Sequence, residues 1–267
     1  MEKVGRRAAW ALLICLLAMA GFTIGNRIYG AVTDPGVRLV LNIPASRLDV
    51  LESGIVTRSY PVSAGARGFQ TPAGNYRVYQ ITWNPSWHPP GSAWARSWKP
   101  QPPGPENPMG RVKLQFAKLL YIHGTTEEND LGAPASHGCV RMSNRDLMAL
   151  ARLLHIYTTP DVTPVVLETL RNNPRQTRNF ALSRAVPLVV KYDLVEVRDR
   201  TLIIHPNVYR IENADVKKQV LAVLQQQGID AGALSGEQLE RITRVRNATR
   251  LRVPLDTLLS GAGTESR

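Results

Sequence analysis

Eight prolines crowd residues 84–108, together with Trp87, Trp94 and Trp98. Proline removes a backbone donor and fixes φ, so neither a helix nor a central strand can run through this stretch. The chain must therefore fold as short elements on either side of a long loop. Rigid prolines and large aromatics make that loop an ordered one. Two roles fit it: a wall or lid over a binding groove, or a surface loop packed on itself.

The flanking segments read as β-structure. Val37, Leu39, Leu41 and Ile43 alternate with Arg38, Val40 and Asn42, the period-two pattern of a half-buried strand. Glu52-Ser53-Gly54 is a turn signal between Leu48-Asp49-Val50-Leu51 and Ile55-Val56-Thr57. Further strands are expected over residues 60–65, 76–81, 112–122 and 163–167. Ser143 or Asn144 is placed to cap a helix over residues 145–154, whose Leu147, Leu150, Leu153 and Leu154 share one face. Residues 169–185 are polar and basic and read as a linker. Beyond them, short strands (187–192, 194–197, 202–204) and helices (216–227, 236–245) form a small mixed unit. The expected division is residues 1–30 for export, 31–168 for a catalytic domain, 169–185 for the linker and 186–267 for an accessory domain.

Residues 1–7 carry Lys3, Arg6 and Arg7 ahead of an almost wholly apolar run over residues 8–25. This is an export segment with its basic end on the cytoplasmic side. Ala18-Met19-Ala20 suits a signal-peptidase cut, while the length of the run suits an uncleaved anchor in the inner membrane; both place the remainder in the periplasm. The net charge of +12 favours anionic partners such as an acidic wall polymer, and equally fits a solvated basic surface. No nucleic-acid motif with interleaved aromatics accompanies it. Of the two cysteines, Cys15 lies in the apolar run and Cys139 far downstream. An exported chain with one unpaired cysteine outside its leader departs from the usual disulfide role there, which points to chemistry for Cys139.

That cysteine sits in the densest cluster of reactive side chains. His123-Gly124-Thr125 ends a strand; a polar loop follows, then Ser136-His137-Gly138-Cys139-Val140-Arg141. A thiol nucleophile needs a base, an orienting acceptor for that base, and oxyanion donors. His123 suits the base, with a backbone carbonyl near Gly124 or Ser136 as its orienter. Gly138 permits a tight turn that would aim the amides of His137, Gly138 and Cys139 at one oxyanion. Arg141 suits a substrate carboxylate, and Tyr121 either lines the site or packs beneath it. Ser136 and the His137 ring read as local hydrogen-bonding groups, and His88, His155 and His205 as structural. A zinc site from His123, His137 and Cys139 is the competing reading. It is disfavoured, because one glycine separates two of those ligands and no Cys-x-x-Cys or His-Glu-x-x-His pattern is present.

These residues resemble the signature of the L,D-transpeptidase catalytic domain of the YkuD type: a histidine, a spacer, then Ser-His-Gly-Cys, one residue, and Arg or Asn. Tyr60-Pro61-Val62-Ser63-Ala64-Gly65, Thr71-Pro72-Ala73-Gly74 and Gly104-Pro105-Glu106-Asn107-Pro108-Met109-Gly110 are similar to segments of the family's periplasmic Gram-negative branch. The likeness covers about residues 37–168 and, more loosely, the C-terminal part. It implies a mainly β fold with some α (α+β), a β-sandwich or barrel-like sheet, and a peptidoglycan tetrapeptide stem as substrate. It also implies attack by Cys139 on the diaminopimelate–D-Ala amide, His123 as proton donor and acceptor, no metal or organic cofactor, and acylation by carbapenems. The acceptor is left open: another stem, a lysine of a wall-anchored lipoprotein, or water, the last giving an L,D-carboxypeptidase. A reading of another class is a non-catalytic peptidoglycan-binding protein.

Overall fold

The computed structural model describes residues 36–212, 214–230, 234–244 and 249–260. The expected export segment and Cys15 lie outside these residues. Eight strands close a barrel in the order β1-β2-β3-β7-β6-β5-β4-β8. They are β1 (Val37–Asn42), β2 (Arg47–Glu52), β3 (Ile55–Ser63), β4 (Gly74–Trp83), β5 (Val112–Ala117), β6 (Leu120–Thr125), β7 (Val140–Ser143) and β8 (Arg178–Lys191). Most neighbours run antiparallel, but β6 and β7 are parallel, as are β1 and β8. Inward residues such as Leu39, Leu41, Leu114, Ile122 and Val140 form one apolar core. The β2–β3 hairpin turns at Ser53 (φ 51°) and Gly54 (φ 82°), the paired left-handed residues that a two-residue turn needs.

Two expectations are corrected. Residues 163–167 are not a closing strand: Thr163 caps helix α2 (Pro164–Asn172) and accepts a hydrogen bond from the Val166 amide. Proline at the first helical position and burial of Leu167 and Leu170 on one side, with Val165 exposed, fit a helix. The linker over 169–185 is also absent. Its first residues finish α2, and from Arg178 the chain enters β8, which pairs with β4 and with β1 and so closes the barrel. The polar, basic composition there reflects the outward positions of a long strand, and the boundary at 186 falls inside that strand.

Helix α1 (Asn144–Thr158) begins at Ser143, whose side chain accepts from the Asp146 amide at 3.1 Å. Leu147, Leu150, Ala151 and Leu154 enter the barrel's core. A second body holds a three-stranded sheet, β11-β10-β9, from β9 (Val195–Arg198), β10 (Thr201–Ile204) and β11 (Leu251–Pro254). With helices α3 (Val216–Gln226), α4 (Gly236–Thr243) and α5 (Leu255–Ser260) it builds a separate core around Leu194, Leu202, Val220 and Leu224. The two bodies are pinned by charge. Arg47 of β2 makes two 2.7 Å bonds to the Glu196 carboxylate, and Glu196 also accepts from His205 at 2.9 Å.

Candidate active site

The site is built by strand register. On the parallel pair β6–β7, Ile122 lies beside Val140 and His123 beside Arg141. Ile122 and Val140 point into the core, so their neighbours along each strand face the other way. Cys139, immediately before β7, thus shares a face with Tyr121, His123 and Arg141. Antiparallel β5 adds Lys113 beside His123 and Gln115 beside Tyr121. One row across the sheet is Lys113–His123–Arg141; the next is Gln115–Tyr121–Cys139.

His123 is buried, and its Nδ1 lies 2.7 Å from the Gly124 carbonyl. Donating Nδ1–H to that oxygen leaves Nε2 as the acceptor. Burial pushes the imidazole down to about 4, opposed by the Gly124 carbonyl and assisted by the positive charges of Arg141 and Lys113. Burial also raises the Cys139 thiol, while the Tyr121 backbone, Arg141 and Lys113 pull it the other way. The resting pair is therefore a neutral thiol beside a neutral imidazole. The thiol also lies 3.5 Å from the carbonyl of Leu119, an exposed residue whose φ of 60° turns the β5–β6 connection toward the sulfur.

The loop before Cys139 is tied at several points. The Gly65 amide donates to Thr71 Oγ1, and that hydroxyl donates to the Gly138 carbonyl, both at 2.9 Å. The Thr71 amide in turn donates to the Tyr209 hydroxyl at 3.1 Å. Ser136 Oγ accepts from the Gly138 amide at 3.1 Å and donates to the Cys139 carbonyl. Of the three amides expected to face an oxyanion, that of Gly138 is held by Ser136, which leaves those of His137 and Cys139 as candidates. Gly138 does supply the left-handed turn, with φ 108°. A side chain at Gly65 would collide with the Phe69 carbonyl at 1.9 Å, so glycine there lets the strands close on the loop.

Gly124 has a second function. Asn144 presses against it, accepting from the Arg111 amide at 2.7 Å and donating to the Thr125 carbonyl at 2.9 Å. A Cβ on Gly124 would sit 2.2 Å from the Asn144 Oδ1. His137 is exposed and stacks on Trp94, with ring centres 4.0 Å apart, while Phe69 packs at 4.5 Å. The proline-rich segment thus meets the loop before Cys139 through Trp94, and packs on itself through the edge-to-face pair Trp87–Trp98. Arg141 bonds Glu127 at 2.5 Å and approaches Asp130 at 3.4 Å. None of Thr71, Lys113, Leu119, Asn144 and Tyr209 is assigned to the site from the sequence, where Asn144 is read only as a candidate helix cap and Thr71 only within a family-like segment. Each reaches the site through pairing or a fold-back that no local motif marks.

Residues 36–167 match the family model of the L,D-transpeptidase catalytic domain, YkuD. The putative L,D-transpeptidase YkuD of Bacillus licheniformis is 27% identical over 128 residues, 48% of this chain and 66% of that protein. The probable L,D-transpeptidase YbiS of Escherichia coli K12 is 32% identical over 138 residues, 42% of this chain and 45% of that protein. The chain thus spans between about half and two thirds of the length of these curated relatives. The NMR structure of the catalytic domain of the E. faecium L,D-transpeptidase aligns with a TM-score of 0.39 at 13% identity, over 58% of this chain and 96% of that one. Over residues 36–167 this chain belongs to the YkuD family of L,D-transpeptidase catalytic domains.

Proposed function

We propose that this protein is a periplasmic cysteine acyltransferase of the cell wall, working on peptidoglycan stem peptides through residues 36–191. The observation that carries this reading is the shared face of Cys139 and His123 on neighbouring parallel strands, with Nδ1 tied to Gly124 and Nε2 left to accept a proton. Cys139 Sγ attacks the carbonyl carbon of the diaminopimelate–D-Ala amide while its proton passes to Nε2 of His123. The negative charge that develops on the carbonyl oxygen falls to the amides of His137 and Cys139. The C–N bond breaks, D-Ala leaves with the proton from His123, and a thioester remains on Cys139. An acceptor amine then attacks the thioester, gives its proton to His123, and the thiol is restored. A second stem or a lipoprotein lysine supplies that amine. The high proton affinity of the thiol and the low proton affinity of the imidazole mean that the proton moves during attack, not before it. Trp94, stacked on His137, forms one wall of the groove.

The test is incubation of the purified protein with disaccharide-tetrapeptide muropeptides, followed by mass spectrometry. Dimers with released D-Ala are expected. Tripeptides alone would mean that water is the acceptor, and unchanged substrate would exclude both activities.

A further inference from the structure

We propose that Lys113 is the cation that anchors the substrate's free carboxylate beside the nucleophile. The inference rests on the acyl-transfer reading above and assigns to Lys113 the role that the sequence suggested for Arg141. Three observations carry it. The first is placement. Lys113 pairs with His123 across β5–β6, between Val112 and Leu114, which enter the core. Its side chain therefore stands on the face that carries His123 and Cys139.

The second is the state of its charge. Lys113 is half-buried, and among the described residues no carboxylate lies within 4.0 Å of its ammonium. Its contact is the ring of Tyr121, with Nζ 4.9 Å from the ring centre. A cation withdrawn from water is normally compensated by a partner. The nucleophile does not provide one in the resting state, because burial keeps the Cys139 thiol protonated. The ammonium is thus left for an incoming anion. The third observation concerns Arg141, the other cation of the row. Glu127 and Asp130 already hold its guanidinium, so a substrate carboxylate would have to displace two acidic side chains of the same protein.

The distance suits a carboxylate one residue beyond the scissile bond. Cys139 and Lys113 lie two strands and one row apart, roughly 12 Å between Cα atoms by ordinary sheet spacings. An extended lysine side chain covers about half of that, and a terminal residue of the donor covers much of the remainder.

The experiment compares two donors, a tetrapeptide stem ending in a free carboxylate and the same stem ending in a carboxamide, on the wild-type protein and on Lys113→Met, Lys113→Arg and Arg141→Ala. The wild type should favour the free acid by about tenfold in KM, the scale of one charge-assisted contact. Lys113→Met should remove that preference, and Lys113→Arg should restore most of it. Alkylation of Cys139 by neutral iodoacetamide provides a readout that needs no carboxylate, and its rate should change far less than the donor preference. A wild type indifferent to the terminal carboxylate would overturn the assignment without the need for any variant. So would an equal loss on both donors in Lys113→Met, accompanied by slower alkylation, which would make Lys113 a partner of the thiolate. Loss of the preference in Arg141→Ala alone would return the role to that residue. A wild type inert on both stems would overturn the acyl-transfer reading and this inference with it.

Discussion

At the scale of the residue, the pair Cys139–His123 is governed by burial. In the proposed mechanism His123 must be neutral to take the thiol proton, and it is held neutral down to about pH 4, because charging it would bury a cation between Lys113 and Arg141. Protonation would inactivate such a base, and the depressed proton affinity moves that loss to lower pH. The acid limb of kcat/KM is therefore expected near pH 4, and a limb centred on 6.5 would show a solvated imidazole. Cys139→Ala should abolish both turnover and the carbapenem adduct seen by mass spectrometry; an adduct that persists in this variant would place the nucleophile elsewhere. Cys139, His123 and their spacing were legible along the chain. Lys113 was not, because it is one polar residue in an alternating strand, and only the β5–β6 register sets it beside His123.

At the scale of the element, the strand ends and the loop before Cys139 are locked by side chains from distant segments. Asn144 at the start of α1 ties residue 111 to residue 125 and fills the space above Gly124. Its amide is held at both ends, so withdrawing it would break both hydrogen bonds. Gly124→Ala should cost about 1–3 kcal/mol of stability, the usual scale of overpacking, measured by urea unfolding; an unchanged midpoint would show that the amide gives way. Tyr209 reaches the loop from beyond the barrel strands, through the Thr71 amide. Tyr209→Phe keeps the stacking on Tyr192 but strands a buried N–H, at a cost of about 1–3 kcal/mol. Slower acylation by a carbapenem should accompany it, and an unaltered rate would detach the loop's geometry from this contact. Helix α2 illustrates the limit of local reading. A short apolar run after Thr163-Pro164 fits strand or helix equally, and the burial of Leu167 and Leu170 alone on the core side decides between them.

At the scale of the whole molecule, two buried histidines tie folding to pH. His123 and His155 are both pushed down to about 4 by burial; His155 accepts from Trp83 Nε1 at 3.1 Å and lies 2.6 Å from the Thr159 hydroxyl. In the unfolded chain each binds a proton near pH 6.5, so between 6.5 and 4 the unfolded state holds more protons and stability falls with pH. The loss at pH 5 should be about 2 kcal/mol per histidine, read as a lower urea midpoint at pH 5 than at pH 7.5. Equal midpoints would contradict the burial of these rings. The Arg47–Glu196 contact joins the two bodies through a charge pair. Glu196→Gln removes the charge that Arg47 and His205 share, and should lower the melting temperature by several degrees, consistent with a loss of about 3 kcal/mol.

The residues that can react, the tight turn before Cys139 and the strand pattern around it are all local properties, and the amino-acid order alone determined them. Periodicity in two-residue steps marks strands without naming their partners, and composition marks polar surface without separating a linker from an outward-facing strand. The closing of the barrel by β8 and the reach of Tyr209 to Thr71 are long-range contacts, and the alignment of Lys113 with His123 depends on the register of the β5–β6 hairpin. They exist only once the chain has chosen its register, because the free energy that selects them comes from burying the common core rather than from any segment by itself.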